Sequence, residues 1–361
     1  MRHMCNIRAD YIIHIKRKEE YKEMGVIQYN LQFEKLCNIL QLGEIVGVPE
    51  AILGGLLHKM YAIKTTKGKY AIKVLNPQIM NRPVAMQHFI DSERIANIAA
   101  NNNIPALPAK IINGSFMQEI DNQFYLVFDW INGKSLKSNE IDVANCERIG
   151  AILADIHMTD FSNLGIINDW SDDAQLTDWS YYLKRGQENN IEWAPQLLEI
   201  IDNLYGWSDL SNKSAKLLAS DTVISHRDLD SKNVMWNQDD PIIIDWESAR
   251  YTNPMKELTE TAIYWSENKS GNIDKERFMA FISAYKIRYG TIQANWKMVL
   301  ENGFIGKLGW LEYSLKRSLL IECTDEKEQQ MGTAQALGTI KSIIRYADMI
   351  SELERWLNNE I

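Results

Sequence analysis

Three residues define the chemistry this chain can do: Asp228, Asn233 five positions later, and Asp245 at the end of the apolar run Ile242-Ile243-Ile244. A carboxylate, an amide and a second carboxylate in that order suit phosphoryl transfer. In that reaction a carboxylate orients an attacking hydroxyl and oxygen ligands hold Mg2+. Little covalent work falls to the protein, so positioning and charge stabilisation carry the catalysis. Asp228 would accept from or orient the hydroxyl, Asn233 would reach one metal ion, and Asp245 would bridge the metals.

The order has a mechanical reason. A loop carrying Asp228 leads into a strand that begins at Asn233, residues 237–240 turn the chain, and the returning strand 241–244 delivers Asp245 back to the same place. The plain alternative is a surface turn of ordinary Asp and Asn, which leaves the apolar delivery of Asp245 unexplained. His226 reads as a packed ring that hydrogen-bonds backbone and stiffens the loop, ahead of any direct acid or base role. Arg227 reads as solvated or structural, because nothing nearby marks a phosphosite.

The phosphates also require a cation. Lys73, in Ala71-Ile72-Lys73, lies on a strand-like run where a kinase-type sheet aims an ammonium at the α- and β-phosphates. Its expected partner is Glu93 on the following helix, preferred over Asp91. The pair Gly54-Gly55 reads either as a tight turn or as backbone that can approach phosphate, and the chain has no Walker lysine motif. The run Phe128-Asp129-Trp130-Ile131-Asn132-Gly133 reads as a linker that meets a purine. There the Asp129 carbonyl would accept, the Ile131 amide would donate and Phe128 would back the pocket.

These groups need elements to hold them. Apolar spacing predicts a helix over 31–42 stopped by Gly43, a hairpin of strands 61–66 and 70–74, an amphipathic helix over 86–100, and strands at 110–112 and 125–128. Asn132-Gly133 marks the lobe boundary. After Asn145 the sequence is mainly helical, interrupted by a strand-rich island at 223–224, 233–236 and 241–244. The expected organisation is an N-terminal extension 1–24 with no assigned role, a nucleotide-binding lobe 25–131 and a helical lobe 132–361.

Composition sets the outer limits. At 361 residues, 45% hydrophobic and 24% charged, the chain suits two globular lobes and neither disorder nor a fibrous class. A formal charge of −9 argues against general nucleic-acid binding; it fits a cationic acceptor or mere solubility. The four cysteines are scattered with no Cys-x-x-Cys pair, and no apolar run is long enough for a membrane span, so a cytoplasmic protein is expected. Monomer and homodimer both stay open.

Together these residues resemble the aminoglycoside phosphotransferase and choline kinase-like family of small-molecule kinases. The likeness is carried by Ser225-His226-Arg227-Asp228-Leu229-Asp230-Ser231-Lys232-Asn233-Val234 and Ile243-Ile244-Asp245-Trp246-Glu247. The stretches from Gly54 to Lys73 and from Leu126 to Gly133 are similar to its nucleotide lobe. Protein kinases differ: Asp230 replaces their lysine, Trp246-Glu247 replaces Phe-Gly, and no Ala-Pro-Glu follows. Within the family, Arg227 stands where glycine is common and Asp230 where histidine is common.

The resemblance implies an α+β, two-lobe protein-kinase-like fold, with an antiparallel sheet and one helix in the small lobe and a mainly helical large lobe. It implies transfer of the γ-phosphate of ATP or GTP, with Mg2+, to a hydroxyl of an aminoglycoside or other antibiotic, choline or another amino alcohol, or a sugar. A catalytically idle nucleotide-binding or coat-type protein on the same fold is the alternative. The acceptor surface is expected in the helical lobe, where Asp169, Asp172, Asp173, Asp178, Trp170, Trp179, Trp193 and Trp207 cluster in sequence. They would either bind a cation or sugar ring or simply pack helix on helix.

Overall fold

The computed structural model describes residues 29–52, 58–168, 176–322 and 326–359. They divide into two compact units, one taking in the chain up to Arg94 with Leu107–Ile131, the other Ile95–Ala106 with Asn132–Ile361.

The first unit is built on an antiparallel sheet of β1 (Glu50–Ile52), β2 (Lys59–Lys64), β3 (Lys69–Val74), β4 (Met117–Ile120) and β5 (Gln123–Asp129), in the spatial order β1-β2-β3-β5-β4. Alternation along β5 divides its side chains between two faces. Tyr125 and Val127 join Leu36 and Cys37 of α1 (Phe33–Ile39), while Leu126 joins Leu75 and Phe89 on the other face with Phe124 and Phe128 beside it. Short α2 (Pro77–Met80) is started by Asn76, whose side chain accepts the Gln78 amide. Helix α3 (Ala85–Asn101) carries Phe89.

Two details differ from the sequence expectation. No strand forms at 110–112, because Asn113 and Gly114 turn left-handed there (φ 52° and 80°) and the chain re-enters the sheet at β4. Asp121 and Asn122, at φ 49° and 62°, then close a tight hairpin onto β5. Helix α1 also stops at Ile39, since Gln41 already adopts φ 53° ahead of Gly43.

The second unit is mainly helical. It contains α4 (Val143–Met158), α5 (Trp179–Glu188), α6 (Ala194–Leu218), α7 (Pro254–Ser266), α8 (Lys275–Tyr289), α9 (Trp296–Asn302), α10 (Phe304–Ser318) and α11 (Glu326–Asn359). Asp142 and Asn145 form a reciprocal capping box that starts α4. Gly150 lets α4 lie directly on the Phe281 carbonyl of α8, where any Cβ would collide. Two small antiparallel pairs interrupt the helices: β6 (Val223–Ser225) with β9 (Arg250–Thr252), and β7 (Val234–Asn237) with β8 (Asp240–Ile243). Among the described residues no helix is long and apolar enough to cross a membrane.

Candidate active site

The β7–β8 hairpin brings Asn233 and Asp245 to one end. Val234 pairs with Ile243, and the Ile244 amide donates to the Asn233 carbonyl at 2.9 Å, so Asp245 follows directly on a fixed residue. Lys134 exchanges backbone hydrogen bonds with Trp236 along the other edge of β7. Gly133 is needed there, because a Cβ would stand 2.7 Å from the Trp236 carbonyl oxygen.

Asp228 reaches the same end through Asn233. The Asn233 side-chain amide donates to the Asp228 carbonyl at 2.8 Å and to its carboxylate Oδ2 at 2.9 Å, which turns Oδ1 of the Asn233 amide away from Asp228. Burial raises the Asp228 pKa from its ordinary value, against the lowering effect of Lys232 and the Asn233 bond. Lys232 Nζ stands 3.5 Å from Asp228 Oδ1 and 3.7 Å from Asp230 Oδ2.

His226 ties the loop to the hairpin. Its ring is fully buried and edge-on to Trp246, with centroids 4.7 Å apart. Nε2 lies 3.0 Å from the Ile244 carbonyl, and Nδ1 accepts the Asp228 amide at 3.2 Å. That pattern requires the neutral ring protonated on Nε2, and burial lowers the His226 pKa accordingly. The imidazole therefore works as a strut between the residue before Asp245 and the backbone of Asp228.

Two residues of this loop pay backbone strain. Arg227 has φ 65° and Asp245 has φ 60° with ψ 59°, left-handed conformations that cost a non-glycine residue about 1–2 kcal/mol. Strain of this kind persists only where surrounding bonds over-determine it. For Arg227 the holding group is Glu257 on α7, whose buried carboxylate accepts the Arg227 amide at 2.7 Å. The other Glu257 oxygen takes His157 Nε2 at 3.2 Å, and His157 Nδ1 meets the Tyr285 hydroxyl at 2.9 Å. Burial pushes Glu257 upward, but the bonds from His157 and the Arg227 amide hold its pKa below the ordinary value. Trp265, also on α7, donates to the Leu229 carbonyl at 2.9 Å. Neither Glu257 nor His157 stands out in the sequence, because no local pattern marks two residues 100 positions apart as partners.

A sequence model of the phosphotransferase enzyme family matches residues 49–295, more than half of the chain. The chain belongs to the phosphotransferase enzyme family. Among solved structures it is similar to a spectinomycin phosphotransferase in complex with ADP and spectinomycin, at TM-score 0.65 and 13% identity over 88% of this chain and 98% of that one. A microcompartment-associated aminopropanol kinase gives TM-score 0.60 and 14% identity over 88% and 98%. A choline kinase from Cryptosporidium parvum gives 0.56 and 15% over 91% and 100%. At such identities the likeness is one of fold, the protein-kinase-like fold of small-molecule kinases. No curated protein matches the sequence significantly.

In the first unit, Lys73 is buried on β3 opposite Leu126, hence on the sheet face that packs with Phe89. Glu93, one helical turn beyond Phe89 on α3, is also buried, and its Oε2 accepts the Ala109 amide at 2.6 Å. Asp91 is engaged by Gln87 and Arg94. Phe128 pairs with Ala71 on β3. The exposed Asp129 carboxylate is gripped by Lys110 Nζ at 2.7 and 2.9 Å, which leaves its backbone as the part that bears on the linker reading. Ile131 ends this unit. Gly54 and Gly55 lie outside the described residues.

Where the tryptophan-rich stretch is described, its rings pack against other helices. Trp179 and Trp193 are fully buried, donating to Ser208 at 3.2 Å and Ser318 at 2.9 Å, and Trp207 stacks on Phe304 at 5.2 Å. Asp178 caps α5 by accepting the Tyr181 amide. Asp169, Trp170, Asp172 and Asp173 lie outside the described residues. Tyr264 on α7 has its phenol pKa raised by partial burial, with Glu260, Asp228, Asp230 and Glu267 adding to the rise.

Asn233 and Asp245 offer oxygen donors, the chemistry a hard Mg2+ ion accepts. Among the described residues no group of three or more His, Cys, Asp or Glu side chains is placed to hold a metal. The donor set therefore fits an ion that keeps water and phosphate oxygens in its shell, not an all-protein cage.

Proposed function

We propose that this chain is an active small-molecule kinase that transfers the γ-phosphoryl group of ATP or GTP to a hydroxyl of a small acceptor. The observation that carries the reading is the bond from Asn233 to the Asp228 carboxylate at 2.9 Å, in a loop whose His226 also holds the residue before Asp245. A carboxylate aimed in this way, beside an amide oxygen and a second carboxylate, is what positioning a hydroxyl for phosphoryl transfer needs.

In this reading Asp228 orients the hydroxyl and takes its proton, and Asn233 and Asp245 hold Mg2+. The metal supplies charge neutralisation on the phosphates when bound. Lys73, braced by Glu93, is assigned to the α- and β-phosphates, the backbone of Asp129 and Ile131 with the Phe128 ring to the base, and Gly54-Gly55 to the phosphate turn. The acceptor is assigned a cationic or amino-alcohol character. Support comes from the surplus of acidic residues and from fold relatives named for choline and aminopropanol. The reaction is assigned to the cytoplasm, as the scattered cysteines of the sequence suggest.

The test is a screen of amino alcohols, aminoglycosides and sugars for acceptor-dependent consumption of ATP and, in parallel, GTP with Mg2+. Stabilisation by nucleotide without turnover on any acceptor would instead assign an idle binding protein.

A further inference from the structure

Lys232 follows directly from the catalytic loop, yet its placement is not that of a bystander. The Asp230 side chain accepts the Lys232 amide and starts the turn 231–233, which throws the lysine back over Asp228. Of the two Asp228 oxygens, Oδ2 is occupied by Asn233 at 2.9 Å, whereas Oδ1 faces Lys232 Nζ at 3.5 Å. A committed charge-assisted bond would be about 2.7–2.9 Å. With Asp230 at 3.7 Å and the lysine side chain 62% exposed, the ammonium is shared loosely between two carboxylates and held by neither. Exposed pairs of this kind contribute little, so leaving them costs little.

Resting on the kinase reading, we propose that Lys232 is a catalytic residue that moves from Asp228 to the γ-phosphate of the bound nucleotide. The site brings an anionic phosphoryl group toward Asp228, Asp230 and Asp245, and Lys232 is the cation the loop itself lays at that point. Its departure does two things at once: it frees Oδ1 for the acceptor hydroxyl and sets a positive charge where negative charge builds. The acceptor oxygen then bonds the γ-phosphorus, the bond to the β–γ bridging oxygen breaks with its electron pair leaving on the nucleoside diphosphate, and the hydroxyl proton passes to Asp228. The structural alternative is an ordinary solvated lysine with an i, i+4 ion pair.

The full-length protein with Mg2+ tests this in wild type, Lys232→Met and Lys232→Arg. Two quantities are read: kcat on an acceptor found in the screen, and the affinity ratio between a non-hydrolysable ATP analogue (AMP-PNP, or the guanosine analogue if GTP is the donor) and the corresponding diphosphate. Lys232→Met should lower kcat on the order of 10²-fold, with diphosphate affinity and thermal midpoint unchanged and the triphosphate preference reduced. Lys232→Arg should recover part of both. An unchanged kcat overturns the assignment, and so does a lower kcat with an unchanged affinity ratio, which would mean that Lys232 only adjusts Asp228. A wild type that neither binds nucleotide nor turns over overturns the kinase reading itself.

Discussion

The β7–β8 hairpin with the loop before it and the tryptophan-rich stretch that runs through α5 and α6 both look chemical in sequence, since each mixes carboxylates with aromatics. The structure treats them oppositely. Around Asp228 the aromatics are struts: His226 and Trp265 spend their ring nitrogens on loop backbone and leave carboxylates facing outward. Around Trp179 and Trp193 the ring nitrogens are spent on buried serines, and Asp178 is spent on a helix cap. The candidate site is thus marked by a partly exposed carboxylate held in place by buried rings, and not by composition.

The sharpest way to break that comparison is Asp228→Asn. Turnover should fall by about 10²–10⁴-fold while nucleotide affinity holds within about twofold, measured by steady-state kinetics and calorimetry. Comparable loss of both would make Asp228 a structural residue like those of α5. Trp193→Ala should do the reverse, lowering unfolding free energy by about 3–5 kcal/mol in denaturant titration. Acceptor KM should follow only the fraction folded; a large KM change in fully folded protein would return the tryptophans to the binding surface.

A subtler test lies in the support beneath the loop. Glu257→Gln should cost about 1–3 kcal/mol of stability at neutral pH and slow turnover by loosening Arg227. Because the folded-state pKa of Glu257 is depressed, its contribution is present above the unfolded value of about 4.3 and is lost as pH falls through the lower folded value. The stability gap between wild type and Glu257→Gln should therefore close below about pH 4. Unfolding curves across that range would show it, and a gap independent of pH would remove the charged role. Smallest is Arg227→Gly, which relieves a left-handed residue whose side chain is exposed. A gain of about 0.5–1 kcal/mol is expected, with activity kept; a loss of activity would show that the guanidinium contacts a substrate.

Much of this was legible before folding, because the governing signals are local. The alternation of β5, the turn through Gly68, the apolar spacing of α3 and the loop-hairpin order from His226 to Asp245 all depend on near neighbours. So the run of strands and helices and the packed role of His226 could be read from residue type and spacing, while the fold class and the family rested on the resemblance carried by residues 225–234 and 243–247. Where local signals were shorter, as for β1, β9 and the shift from 110–112 to β4, left-handed residues and partner strands decided the outcome.

The sequence by itself determined that a loop carrying Asp228 leads into a hairpin flanked by Asn233 and Asp245, because turn residues and apolar strands at that spacing are local signals. Only tertiary structure decided how rigidly they are held. Glu257 with His157, and Trp265 with Leu229, join parts of the chain separated by 100 and 36 positions. Such pairings exist only once helices pack, and packing likewise chose which tryptophans became core.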